Sequence, residues 1–276
     1  MEKAYYKLIY AIYFCTLAIG GVVRLILKLF FTDHATGFAA DGTPLATLLN
    51  VVLLVGLLAL LAINMLYRGK DEIRLQVQTG ILPVLAILTG LSIAWYVWQG
   101  LPSPLGQAPT RENAQFAQIV LYVNYGLGSL AALSFLVTGI AGFLRKTPPS
   151  ILLIVPSIWQ IMLLLSRYNG YYSVLYIGDY LLAILFMGFA TLFYMAHGRT
   201  VCGFGRRDGR NYIISSAMGM TVCGFLLSIP NFIYMAMEGV WQPARLLSLP
   251  EVVYAFAASV YAFAFLISYT RSIHRV

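Results

Sequence analysis

The sequence predicts an all-α integral membrane protein: one polytopic transmembrane domain over residues 1–276, an eight-transmembrane-helix bundle with both termini cytoplasmic. Composition is the first reason. Of the residues, 60% are hydrophobic and only 10% charged, where soluble domains carry about 25% charged. The second reason is that the apolar residues gather into eight runs, each close to the roughly 20 residues that cross a bilayer as helix. The third is that basic residues concentrate in alternate connections, the pattern of membrane topology rather than of nucleic-acid binding. Lipid offers no partner to unpaired backbone groups, so helix is the expected state of every run. The ten-residue alternating segments of an outer-membrane barrel are absent.

The first run, 6–30, follows Lys3 and Lys7 as the apolar part of a signal peptide would. No small-x-small cleavage site follows, and the run ends in Arg24 and Lys28, one turn apart on one face, so it reads as an uncleaved span. The second run, 45–67, contains Asn64 toward its inner end. The third, 80–99, places Ala86, Gly90 and Ala94 on one face. The fourth, 115–144, does the same with Ser134, Thr138 and Gly142, and carries Asn124 and Tyr125 in its outer half. Small residues four apart let helix backbones approach closely in lipid, and packing within the bundle is their expected use. Only Arg145–Pro149 separates the fourth run from the fifth, 150–167, so these two helices are expected to be antiparallel neighbours. The fifth holds Pro156, Gln160 and, at its outer end, Arg167. The sixth, 174–196, holds Asp179, read as the one carboxylate well inside an apolar run. The seventh, 211–236, combines Gly224 and Ser228 with Pro230 and Asn231, and the eighth covers 250–271. Each internal proline removes one backbone bond and frees a carbonyl one turn back. Membrane helices tolerate this, and both prolines are read as packing kinks.

Orientation follows from charge. Thirteen of the 18 basic residues, with four acids, lie at the termini and in the connections after the second, fourth and sixth runs; the other side holds five basic and six acidic residues. The positive-inside rule makes the first side cytoplasmic. Aromatic residues sort to two levels, as interface belts do: Trp95, Tyr96, Trp98, Tyr168, Tyr171 and Tyr172 outside, and Tyr5, Tyr6, Tyr67, Tyr194, Tyr212 and Tyr269 inside. The outer connection 100–114, rich in Pro and polar residues, is expected to lack regular structure. A weak internal repeat is visible. Pro156, Asp179 and Arg199 are spaced 23 and 20 residues apart, and Pro230, Glu251 and Arg271 are spaced 21 and 20. Positive-inside topology alone produces the same placement of acids and arginines.

An ionisable residue within a span is expensive and marks a site by default. The candidate ligand-binding residues are Arg24, Lys28, Asn124, Gln160, Arg167, Asp179 and Asn231, a polar set in the outer half with surplus positive charge. Arg167 and Asp179 are expected to pair across the short turn between the fifth and sixth helices. That pairing leaves two of the three cations for an anionic group, and the planar fork of arginine suits carboxylate or phosphate. The competing expectation is that these cations snorkel to lipid headgroups.

Several chemistries are excluded. Gly178-Asp179 resembles half of an intramembrane aspartyl protease site, but Tyr176 stands where that motif wants Gly, and no second intramembrane carboxylate is expected to share the proton. There is no HExxH, and His34, His197 and His274 are all placed outside the spans, which leaves no haem ligand and no base for Ser129. The last run has no Lys for a Schiff base, and Cys15, Cys202 and Cys223 form no CxxC. The stretch Arg199–Arg210 is not a Walker motif; its arginines read as topogenic charge in contact with anionic lipid. No metal or cofactor is indicated. The leading reading is a transporter or permease-like protein of a plasma or bacterial inner membrane, with an outward-facing polar site for a small anionic or amphipathic ligand. The alternative is a non-transporting structural, sensory or accessory subunit acting through a partner protein or lipid, favoured by the scarcity of polar residues in the inner half. A lipid-modifying enzyme is the weakest reading, because no acid, base and nucleophile converge. The expected partners are therefore the bilayer, with anionic lipids at the cytoplasmic loops, a small ligand or a membrane protein, and not nucleic acid.

Overall fold

The computed structural model describes residues 2–33, 43–66, 80–99, 111–170, 178–201, 209–240 and 247–273. Their helices are α1 (Glu2–Phe30), α2 (Pro44–Leu66), α3 (Leu82–Gln99), α4 (Arg111–Phe143), α5 (Ser150–Gly170), α6 (Gly178–Val201), α7 (Gly209–Glu238) and α8 (Leu249–Ile273). All eight are long and apolar enough to cross a membrane. The expectations for His34, Tyr67, Tyr171, Tyr172, Cys202, His274 and residues 100–110 fall outside the described residues, as do those for the side chains of Asn64 and Tyr168. Residues 111–114, expected to be irregular, form the first turn of α4 instead.

The bundle is inverted relative to a water-soluble protein. Val51, Leu54 and Leu58 of α2, Leu88 and Leu91 of α3, and Ile151, Ile154 and Leu165 of α5 are exposed. Meanwhile Arg24, Lys28, Arg167, Asp179, His197 and Glu251 are buried. Lipid accepts an apolar exterior at no cost, while ionised and polar groups are driven to the interior to find one another.

Helices α3 to α8 form a closed ring in which each adjoins the next and α8 returns to α3; α1 and α2 pack together against α7. Helix α7 therefore has neighbours on every side, and 83% of its membrane-length window is buried. Side-chain contacts fix the directions. Tyr10 near the start of α1 donates to Thr270 near the end of α8 at 3.1 Å, and Tyr13 meets Thr221 of α7 at 3.1 Å. The opposite end of the bundle, where α1, α5 and α7 finish and α6 and α8 begin, is called the carboxylate end below. The small-residue faces serve this packing. A Cβ on Gly90 would stand 3.0 Å from the Ala132 carbonyl oxygen of α4, and one on Gly224 would stand 1.9 Å from Ser259 Oγ of α8. Ala94, by contrast, is exposed and lies off the packed face.

Helices α4 and α5 are antiparallel neighbours, as the short connection requires. The turn closes with Lys146 N–H on the Ala141 carbonyl at 2.8 Å and Arg145 N–H on the Gly142 carbonyl at 3.2 Å, with Arg145 at φ 53°. This is a Schellman stop with arginine where glycine is usual. Pro156 has no N–H to give to Leu152, and the hydroxyl of Ser134 on α4 donates to that freed carbonyl. The proline thus creates an acceptor and the neighbouring helix supplies its donor. Ser134→Ala should cost about 1–3 kcal/mol through the orphaned buried carbonyl. Ser134→Ala combined with Pro156→Ala should recover most of that loss in a detergent unfolding titration, because the N–H is restored.

The aromatic belts are only partly lipid-facing. Trp95, Trp98 and Tyr212 are exposed, but Tyr5, Tyr6, Tyr96, Tyr194 and Tyr269 are buried in the bundle. Height along a helix axis is visible in a sequence; which side of the helix faces neighbours is not.

Candidate functional site

The side chains of all seven candidate residues are buried, and they divide into two groups at the carboxylate end. The first group lies where α1, α6 and α7 meet. Asp179, in the first turn of α6, accepts from Arg24 on Oδ1 and from Lys28 Nζ on Oδ2 at 2.7 Å, and Asn231 Nδ2 adds a bond to Oδ1 at 3.2 Å. Asn231 Nδ2 also donates to the Leu227 carbonyl at 2.6 Å. Lys28 Nζ stands 5.4 Å from the centre of the Tyr234 ring.

The second group lies inside the ring. Arg167 of α5 pairs with Glu251 in the first turn of α8, both almost fully buried. The Tyr180 hydroxyl donates to the Arg167 carbonyl at 2.8 Å, and its ring lies 5.7 Å from the guanidinium. One level further in, Gln160 Nε2 donates to the Tyr254 hydroxyl at 2.7 Å, which is 3.2 Å from the Tyr194 hydroxyl. Tyr96, Trp159 and Tyr254 pack ring to ring here, with centroids 5.5–6.1 Å apart. Several buried polar atoms in this interior have no hydrogen-bond partner: Arg167 Nε and Nη1, Trp159 Nε1, Asn124 Oδ1, Gln160 Oε1 and Glu251 Oε1.

The expected pair of Arg167 and Asp179 is therefore not formed. Successive residues on a helix point about 100° apart, and in the first turn of α6 it is Tyr180 that faces Arg167 while Asp179 faces α1 and α7. The expected surplus of two free cations shrinks to one, because the site has a second carboxylate. Glu251 was legible only as a repeat partner of Asp179. A better signal was available in α8: Glu251, Tyr254, Ala258, Tyr261 and Phe265 recur at helical spacing and are all buried. The second carboxylate does not revive an aspartyl dyad, since Asp179 and Glu251 bond to different cations and no bond joins them among the described residues.

His197, placed outside the spans by the sequence, is inside α6 and buried. The helix runs on to Val201, and α8 covers that face: Tyr261 is 2.8 Å from His197 Nε2, and the Phe265 ring centroid is 4.8 Å from the imidazole. Polar groups thus reach the far half of the ring, which the sequence reading missed. Between the two polar levels stands Phe135 of α4, edge-on to Tyr194 at 5.3 Å and to Tyr261 at 5.4 Å.

A cavity of about 380 Å³ opens between α3 and α8, lined by Leu88, Leu91, Trp95, Val253, Phe256 and Val260 among others, and its lining includes none of these charged residues. Fold and site together are those of a polytopic α-helical membrane protein with ionisable groups held in its interior. Comparison with protein-family models, curated proteins and solved structures returned no match.

Proposed function

We propose that the protein is a transporter or permease-like protein of a plasma or bacterial inner membrane. Its site for a small anionic or amphipathic ligand lies in the α3–α8 ring and opens at the carboxylate end. The charge distribution of the connections supports cytoplasmic termini, a carboxylate end facing outward, and anionic lipid against the basic loops. One observation carries the reading: next to the Tyr96 hydroxyl, Arg167 is buried with Nε and Nη1 making no well-formed hydrogen bond among the described residues, and the same interior holds buried acceptors on Asn124, Gln160 and Glu251 that lack partners there. Leaving buried donors and acceptors unmade is costly, so such a set is kept where something else completes it. A ligand with an anionic group for Arg167 and a hydrogen-bond donor for the acceptors fits both halves of the set.

Movement across the membrane, rather than reception alone, is supported by the second polar level. His197 lies 18 residues beyond Asp179 on α6, about 27 Å at 1.5 Å per residue, nearly the hydrocarbon thickness of a bilayer. Polar groups at two depths with the aromatic side chains Phe135 and Phe193 between them are the arrangement that an alternating closure uses. Arg24, Lys28, Asp179 and Asn231 then act as a latch that ties α1 to α6 and α7 beside the site.

The test uses Arg167→Lys, which keeps a cation for Glu251 but removes Nε and Nη1. A panel of small carboxylates and phosphate esters is screened for thermal stabilisation of the purified protein, and the responders are assayed by counterflow in proteoliposomes. The expected result is stabilisation and counterflow with the wild type, both reduced at least tenfold in apparent affinity by Arg167→Lys. Stabilisation without counterflow would make the protein a receptor or accessory subunit. Equal responses in wild type and variant would remove Arg167 from the site.

A further inference from the structure

We propose that the Arg24–Lys28–Asp179 cluster binds one small monovalent anion of the halide class, at a site separate from the Arg167 interior. The reason is charge balance among side chains shielded from bulk solvent. Two cations and one carboxylate meet there, with side-chain exposures of 5%, 0% and 2%. Both carboxylate oxygens are already taken, Oδ1 by Arg24 and Oδ2 by Lys28, so Asp179 offers no further charge. Among the described residues Asp179 is the only acid that pairs with Arg24 or Lys28, since Glu251 is bonded to Arg167 and Glu238 is exposed. The Tyr234 ring under Lys28 stabilises a cation without neutralising it. One full positive charge is left over, and a buried unpaired charge is among the least tolerable things a protein can hold.

Geometry places the anion on the α1 side of α6. Arg24 Nε is buried and has no partner, a directed donor in a residue that is only 4% exposed. A Cβ on Gly178 would stand 3.0 Å from Arg24 Nη1, so the missing side chain lets the guanidinium lie against the first turn of α6. The first N–H groups of a helix have no intrahelical partner, and the dipole there favours negative charge. An anion beside Arg24 Nε therefore meets a guanidinium that itself lies against a helix N-terminus. The unpartnered Asn231 Oδ1 is an acceptor and does not help, which puts the anion away from α7. The surplus is a single charge, so a monovalent ion balances it.

The experiment measures thermal unfolding of the purified protein in sodium chloride, bromide and gluconate at one ionic strength. The expected result is a saturable rise in Tm with chloride and bromide over gluconate, as binding to the folded state alone requires. Lys28→Met removes the surplus cation and leaves an Arg24–Asp179 pair, and its Tm should no longer depend on the anion. Should Lys28→Met fail to fold, Arg24→Gln leaves the equally neutral Lys28–Asp179 pair and carries the same expectation. Arg167→Lys should keep the full halide effect, which separates this site from the ring interior whatever that interior binds. A wild-type Tm indifferent to the anion would overturn the proposal and mean that the cluster is neutralised by a lost lysine proton. A halide effect that survives in both neutral-pair variants, or one replaced by an effect of anionic lipid, would overturn it as well.

Discussion

Asp179→Asn should be among the most destabilising single substitutions in the bundle, costing about 3–5 kcal/mol. The side chain keeps its size and a hydrogen-bonding group, so the loss is electrostatic. Arg24 and Lys28 would be left together, both buried, with no carboxylate between them. The consequence reaches three helices, because the same carboxylate joins α1, α6 and α7 through Arg24, Lys28 and Asn231. Unfolding in mixed micelles with increasing denaturing detergent measures it. Adding Arg24→Gln and Lys28→Met to Asp179→Asn should recover much of the stability, since a neutral polar cluster has no charge to desolvate. Asp179→Asn with Arg167→Gln should simply add, within the ~0.3–0.5 kcal/mol typical of independent sites. Non-additivity there would mean that α5 and α6 exchange charge across their turn after all. A single-variant loss below about 1 kcal/mol, the scale of an exposed ion pair, would show that water reaches the cluster.

The contrast between what the sequence reveals and what it hides has one physical origin. In lipid, the outside of a helix bundle is as apolar as its core, so hydrophobicity alone does not mark the buried face and only a polar or aromatic period such as that of α8 does. Helix bounds were legible because hydropathy changes sharply along the axis: the run read as 150–167 is Ser150–Gly170 in the structure, and 250–271 is Leu249–Ile273. That Arg24, Lys28 and Asp179 lie within spans was legible, and of the two expectations for them, lipid headgroups or the bundle interior, the structure has the interior. Direction around the axis was not. Asp179 and Arg167 were matched by proximity in sequence, yet the true partners of Asp179 lie 155 and 151 residues away. Tyr194 and Tyr269 were assigned to the interface by their height, and both turned out to face the bundle interior. Glu251 follows Pro250 at the edge of its run and was read only as a repeat counterpart of Asp179, whereas the structure buries it inside the ring in helical register with Tyr254 and Tyr261.

Glu251→Gln and Arg167→Gln break the same ion pair, and they should not cost the same. Removing the acid strands a guanidinium that cannot lose its proton, inside a ring where Arg167 Nε and Nη1 already lack partners. Removing the arginine strands a carboxyl that can discharge itself by taking up a proton, which limits the penalty. Glu251→Gln should therefore lose about 3–5 kcal/mol and Arg167→Gln distinctly less. The double variant, with two amides in place of two charges, should stand closer to wild type than Glu251→Gln alone, because a buried pair replaced as a unit is often nearly neutral. The double-mutant cycle reads this as a coupling energy within the 0.5–3 kcal/mol range of contacting residues. The two single variants also separate stability from ligand recognition. A ligand that engages Arg167 through its anionic group should bind Glu251→Gln at least as well as wild type, since the competing carboxylate is gone, while Arg167→Gln should lose it. Equal losses of binding in the two variants would mean that the ligand is held by the intact pair rather than by the arginine.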